Sequence, residues 1–360
     1  MSKVFNVAII GVGIGRSHIV EGYLPNADKF KVKVLCDLNA ERLNAVADEF
    51  AVGQRIASFD DVLAMGDIDI IDICTPPGLH YSMVMAALRA GKHVICEKPL
   101  VGSLAQVDEV IAEEKRSKGM LMPVFQYRFG NGIEQAKAII DAGLAGKPFM
   151  GTVETLWRRD APYYAVPWRG KWATELGGVL MGHAIHPHDL FTYLMGDIDR
   201  VFGRVATRVN PIEVEDTISA SLLMKSGALA SLTATLGSSD DMTRIRLAFE
   251  NVTFESDHAA YNPGEKLWKI QTRNRGTQSA IDDLLQGWRH VPSRFQTQMA
   301  RFHDALTGSA PLPVTSADSR RSLELVTAFY HSSATGQDVP LPIGPGHPLY
   351  ESWVPAQFRT

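Results

Sequence analysis

Residues 4–16 read VFNVAIIGVGIGR, an apolar run from Val7 to Ile10 that stops at Gly11-Val12-Gly13-Ile14-Gly15. A short apolar run closed by glycines predicts a buried strand ending in a tight turn. Gly11 permits the turn and Gly13 lets the backbone approach an anion. The helix expected to follow offers unpaired N–H groups to that anion. This is the pattern of a dinucleotide pyrophosphate cradle, which places Gly11, Gly13, Ile14 and Gly15 around the phosphates. The spacing departs from the usual G-x-G-x-x-G, because the third glycine comes one residue early and Arg16 stands in its place. A cation there would serve a phosphate, so Arg16 joins the expected cofactor set, although its direction is not fixed by sequence.

Working outward, further strands are expected at Lys31–Cys36, Ile70–Cys74, His93–Cys96 and Met122–Phe125, with helical spacing between them. Such alternation implies βαβ units and a parallel sheet, a Rossmann domain over residues 1–124. Cys36, Cys74 and Cys96 each close a strand, and ligands of open α/β sheets bind just beyond such ends. Three cysteines make no disulfide framework, and these thiols read as small buried hydrophobes. Asp37, at the end of the second strand, can accept the hydroxyls of an adenosine ribose and would repel a 2′-phosphate. NAD is therefore expected over NADP.

Beyond residue 124 the texture changes. Short strands separated by turns, such as Thr217–Met224 and Ala228–Leu236, predict a mostly antiparallel open sheet with helices packed on it. Residues 125–337 are assigned to this α+β domain, and residues 338–360 to an extended tail that Tyr350 and Trp353 would dock. The chain of 360 residues thus holds two domains. A net charge of −4 without Lys/Arg runs argues against nucleic acid or a membrane surface as partner. No apolar stretch approaches the roughly 18 residues of a spanning helix, and no leader pattern opens the chain. A cytoplasmic location is expected.

Residues 72–100, DICTPPGLHYSMVMAALRAGKHVICEKPL, place Glu97-Lys98-Pro99 after a buried strand and downstream of Thr75-Pro76 and His80. Residues 177–196 read GGVLMGHAIHPHDLFTYLMG. The two segments together resemble the glucose–fructose oxidoreductase and inositol dehydrogenase (Gfo/Idh/MocA) family. The resemblance implies that Lys98 and His186 are the catalytic pair and that Thr75, Pro76, His80, Glu97 and Lys98 face the cofactor. It also implies a cis bond before Pro99 and a homodimer or homotetramer. Physically, an ammonium at Lys98 can stabilise an alkoxide-like oxygen, and imidazole titrates in the range a proton carrier needs. Many relatives carry an aspartate four residues before the histidine. Here that position is Gly182, leaving His183 as the candidate to stand in for it. Asp189 shares a helix face with His186 and is expected to orient it or touch substrate. His183, His186, His188 and Asp189 also admit a zinc or iron reading, but the family generally works without metal and none is expected.

Gln126-Tyr127-Arg128 and the segment Tyr163 to Trp172 mix aromatic rings with cations. Arg128, Trp168, Arg169, His183 and Asp189 are taken as the substrate set, with packing as the rival reading of the aromatics. The expected activity is NAD-dependent oxidation of a sugar or cyclic polyol hydroxyl, for example of a pentose or branched pentose. A uronate or aldonate, an NAD-using glycosidase of the same fold, and a non-catalytic dinucleotide-binding regulator are the alternatives.

Overall fold

A computed structural model of the protein describes residues 3–358. The chain divides into two units, one running up to Val124 and including Phe295–Arg320, the other Phe125–Arg294 with the chain from Arg321 onward.

The first unit is built on six strands, β1 Phe5–Ile10, β2 Phe30–Cys36, β3 Gln54–Ile56, β4 Ile70–Ile73, β5 His93–Cys96 and β6 Leu121–Pro123. They pair in the order β3-β2-β1-β4-β5-β6, every pair parallel. β4 is buried along its whole length and β1 along all but one residue, which is why both read as nearly continuous apolar runs. The strand order reverses between β1 and β4, so the loops leaving these two strands diverge and open a crevice at their carboxyl ends.

One assignment is corrected. The helix Arg294–Leu306 was expected in the second domain, yet from Phe295 it belongs to the first. Gln298 Nε2 donates to the Pro123 carbonyl at 2.8 Å, and His303 Nε2 lies 2.9 Å from the Lys3 carbonyl oxygen. The His303 ring is met edge-on by Phe5 and Phe30. These partners lie far away in sequence, so no local pattern announces them.

The second unit holds eight strands, β7 Pro148–Arg158, β8 Ile198–Ala206, β9 Thr217–Met224, β10 Leu229–Thr235, β11 Gly237–Phe249, β12 Val252–Glu255, β13 Lys269–Thr272 and β14 Val339–Pro340. Their order is β13-β12-β11-β7-β10-β9-β8-β14, antiparallel throughout except for the parallel pair β7–β10. The helix Ile185–Met195 packs closely on this sheet, since a Cβ at Gly151 of β7 would stand 2.5 Å from the Phe191 ring. The tail is part of this unit, not a separate strap. β14 lengthens the sheet beyond β8, and Trp353 Nε1 donates to the Leu176 carbonyl at 2.7 Å. Among the described residues, no helix is long and apolar enough to cross a membrane.

Candidate active site

In the first unit the glycine turn is fixed by close approach. Gly11 has φ +91°, and a Cβ there would lie 2.7 Å from the Cys74 carbonyl oxygen, so only glycine fits. A Cβ at Gly13 would meet nothing within 4 Å, which leaves its backbone face open to a pyrophosphate. This open cradle at the start of the helix Val12–Ser17 fits the dinucleotide, and Ile14 stands exposed beside it.

Asp37 does more than wait for a ribose. Its Oδ2 accepts the Val12 N–H at 2.9 Å and its Oδ1 the Asn39 N–H at 2.8 Å, tying the end of β2 to the glycine turn. Arg42 covers both oxygens at 2.8–3.2 Å. Burial pushes this carboxyl up, but the Arg42 and amide bonds outweigh it and hold the pKa below the usual value. Asp37 is thus an ionised acceptor whose charge is partly answered. Arg16 departs from expectation, since it pairs with Glu49 of the helix Ala40–Glu49 and lies over the Phe50 ring.

At the ends of β4 and β5, Thr75 is half-buried and Pro76 exposed, while Glu97 is buried and Lys98 half-buried. The Lys98–Pro99 bond is cis. His80 was expected to face the cofactor and is instead wholly buried. Its Nδ1 lies 2.7 Å from the Pro99 carbonyl oxygen and its Nε2 2.8 Å from that of Thr75, bracing the two strand-end loops. Burial, the largest influence, lowers its pKa, and a neutral ring can donate to only one of the two carbonyls.

Sequence reasoning missed His18 altogether. In the π-helical turn His18–Tyr23, its Nδ1 lies 2.8 Å from Asp72 Oδ2 and its Nε2 3.0 Å from Glu97 Oε1. Tyr23 donates to Asp72 at 2.8 Å, Cys74 Sγ sits 3.5 Å from Nδ1, and the Phe295 ring covers the imidazole. Burial works against the charged ring, but Asp72 and Cys74 prevail and raise its pKa well above the ordinary value. For Glu97 burial pulls upward, and the His18 bond brings the carboxyl below the usual range. The geometry suits a His18 ring that faces Asp72 with one nitrogen and Glu97 with the other, and Glu97 Oε2 in turn accepts the Lys98 N–H at 3.1 Å. The ligand atoms of His18, Asp72 and Cys74 also fall within 4.8 Å of one another. A proton on each ring nitrogen accounts for the same distances.

In the second unit the expected residues separate into two groups. Arg128 and Asp189 face each other, with Arg128 Nε and Nη2 on the two carboxylate oxygens at 2.7 and 2.6 Å, both side chains almost fully buried. Asp189 thus pairs with Arg128, where it was expected to orient His186 or meet substrate, and Arg128 is committed likewise. This pairing gives Asp189 a guanidinium partner in place of the metal that the zinc or iron reading grouped it around. His188 packs against Phe329, and burial pushes its pKa down to about 3.

The other group gathers around His183. Trp157 meets its ring edge-on at 5.3 Å, and Tyr163 lies tilted against it at 5.5 Å. The Arg169 guanidinium lies 3.8 Å from the Tyr163 ring centre and 4.6 Å from that of Trp168. Arg159, unforeseen, lies over Trp157 and Tyr163 and donates to the Tyr261 hydroxyl at 2.7 Å. His186, buried, stacks on Tyr127 at 4.6 Å and meets the edge of Phe125. The segment carrying both histidines starts against Glu215, whose Oε1 accepts the N–H groups of Gly178 and Leu180 at 3.0 Å while Oε2 accepts the Tyr330 hydroxyl. Burial raises the Glu215 pKa to about 7 in spite of these donors.

A doubly wound dinucleotide domain followed by a mixed-sheet domain bearing paired histidines defines a class of two-domain nicotinamide oxidoreductases. Comparison with known proteins agrees. Residues 5–125 match the model described as "Oxidoreductase family, NAD-binding Rossmann fold", and residues 133–255 match the GFO/IDH/MocA C-terminal domain. The chain belongs to the GFO/IDH/MocA family of oxidoreductases, and its first unit is an NAD-binding domain. It is 30% identical to the uncharacterized oxidoreductase YrbE of Bacillus subtilis over 64% of this chain and 67% of that one. It is 23% identical to D-apiose dehydrogenase of Rhizobium rhizogenes over 86% of this chain and 89% of that one. Among solved structures, the WlbA dehydrogenase of Chromobactrium violaceum, in complex with NADH and UDP-GlcNAcA, aligns with a TM-score of 0.84 and 27% identity, covering 96% of this chain and 98% of that one.

Proposed function

We propose that the protein is an NAD-dependent dehydrogenase that oxidises a hydroxyl of a free sugar or cyclic polyol, with an aldose such as a pentose, or a branched pentose like D-apiose, as substrate. The observation that carries the substrate class is the cluster of Trp157, Tyr163, Tyr261, Arg159 and Arg169 about His183. Aromatic faces suit the C–H faces of a sugar ring, and guanidinium N–H groups suit its hydroxyls. The likeness to D-apiose dehydrogenase over most of the chain supports the choice of an aldose. NAD, when bound, accepts the hydride.

The chain's own groups supply the rest. Lys98 donates to the reacting oxygen and stabilises its developing negative charge. His186 takes the hydroxyl proton, and its stacking on Tyr127 holds the ring in one orientation. Asp37 receives the adenosine ribose, and Glu97, locked by His18, fixes the turn on which Lys98 sits. Two guanidinium groups on Tyr163 favour a carboxylated sugar, a uronate or aldonate, as the second reading.

The experiment is absorbance at 340 nm with NAD and a panel of pentoses including D-apiose, hexoses, inositols, uronates and aryl glycosides. NADH is expected with a free aldose. Aglycone release without any NADH from free sugars would instead establish the NAD-using glycosidase.

A further inference from the structure

The chain's own donors fill the carboxylate of Asp37. The Val12 N–H reaches Oδ2 at 2.9 Å and the Asn39 N–H reaches Oδ1 at 2.8 Å. Arg42 takes the remaining positions. Its Nη2 lies 2.8 Å from Oδ1 and 3.0 Å from Oδ2, and its Nε lies 3.2 Å from Oδ2. An ionised carboxylate offers about four lone-pair sites, so these bonds use its accepting capacity. A ribose diol that bonds Asp37 must take positions already held.

Two of the three partners cannot yield them. Val12 and Asn39 give backbone N–H groups, one from the glycine turn and one from the cap of the helix Ala40–Glu49. Arg42 gives a side chain that is 52% exposed, against a carboxylate that is 4% exposed. Its guanidinium can swing aside at little cost, as an exposed ion pair contributes little. It cannot go far, because the Arg42 N–H donates to the Asn39 side chain at 2.9 Å and fixes that residue in the first helical turn. Among the described residues, Asp37 is the one carboxylate that Arg42 pairs with. The displaced cation therefore stays beside the ribose. Asp37 alone would repel a 2′-phosphate, whereas a guanidinium bonds phosphate oxygens in pairs and cancels the repelling charge. The positive end of the helix Ala40–Glu49 acts in the same sense. Glu41 in that turn opposes it, but is exposed and screened.

We propose that Arg42 is a selectivity residue for the dinucleotide: it shields Asp37, gives up its place to the ribose of NAD, and pairs with the 2′-phosphate of NADP, so that the domain binds both nucleotides. The proposal rests on Asp37 as the ribose acceptor and is independent of which sugar is oxidised.

The test is fluorescence titration of the whole protein with NADH and with NADPH, which needs no sugar. NADPH is expected to bind no more than about 30-fold more weakly than NADH, and a wider gap overturns the proposal. In Arg42→Ala the ratio of dissociation constants, NADPH over NADH, is expected to rise about three- to fivefold. Two effects add to that rise, tighter NADH where Asp37 is bared and weaker NADPH where the cation is gone. Arg42→Lys keeps the charge and is expected to hold the ratio near wild type. High salt is expected to shrink the difference between wild type and Arg42→Ala. An unmoved ratio in Arg42→Ala overturns the assignment, including a loss of affinity shared equally by both nucleotides, which is what a structural role alone would give. Asp37→Asn tests the reading beneath the proposal. Unmoved NADH affinity in that variant would sink Asp37 as the ribose acceptor, while the ratio in Arg42→Ala still decides the role of the guanidinium.

Discussion

The two units hold their functional groups by different means. In the first, Asp37, Thr75 and Lys98 all follow directly on parallel strands, and backbone amides, His18 and His80 bond the surrounding loops into place. In the second, His183 and His186 lie on one helical segment, packed against aromatic rings, and the start of that segment is anchored by the Glu215 carboxylate. The first arrangement is a property of the sheet's topology, and the second of side-chain packing. Substitutions should therefore act locally on chemistry in the first unit and through packing in the second.

The sharpest break comes from Lys98→Ala. We expect kcat to fall about 10³-fold while NADH binding, followed by fluorescence, stays within a few-fold of wild type. Joint loss of binding and melting temperature would mean that Lys98 holds structure as well.

Next in size is Arg128→Ala in the second unit. It leaves Asp189 buried without its guanidinium, which should cost about 3–5 kcal/mol in chemical denaturation. A raised KM at unchanged stability would instead return Arg128 to the substrate set.

Glu215 tests the packing side by pH. Its folded pKa of about 7 lies above the unfolded value, so between about pH 4.5 and 7 the native state retains a proton that the unfolded state releases. That group's contribution falls as pH rises through this window, by an amount on the order of 3 kcal/mol. The difference in unfolding free energy between wild type and Glu215→Gln, measured at both ends of the window, should shift by that order in favour of the variant at pH 7. A pH-independent difference would remove Glu215 as a titrating group.

The smallest effect belongs to Arg42→Ala. Its guanidinium is half exposed, so unfolding free energy should change by less than about 1 kcal/mol. Baring Asp37 should sharpen the preference for NAD over NADP a few-fold in kcat/KM.

What the sequence made legible follows the same division. β1, β4 and β5 stand out because strands buried on both faces are almost wholly apolar, and β2 because it ends in the buried run Val34–Cys36, with the candidate site residues just after them. β3 was missed because it is short and largely exposed. β7, central to the second sheet, was missed because its inward positions include Gly151 and Thr155 as well as Val153 and Trp157, which hides the period of two. The helix from Phe295 carries its periodicity openly, but its partner is chosen by contacts hundreds of residues away. Among the candidate site residues, the glycine turn, Asp37 and Lys98 are the ones that local motifs single out. Glu215 and His18 are not, since the groups they bond lie far away in sequence and only folding brings them near.

The central claim is net hydride transfer from a sugar to nicotinamide, and the stoichiometry of NADH formed per sugar consumed tests it most directly. The account predicts one NADH for each molecule of sugar oxidised, with formation lost in His186→Ala. Product formed with no net NADH would contradict it.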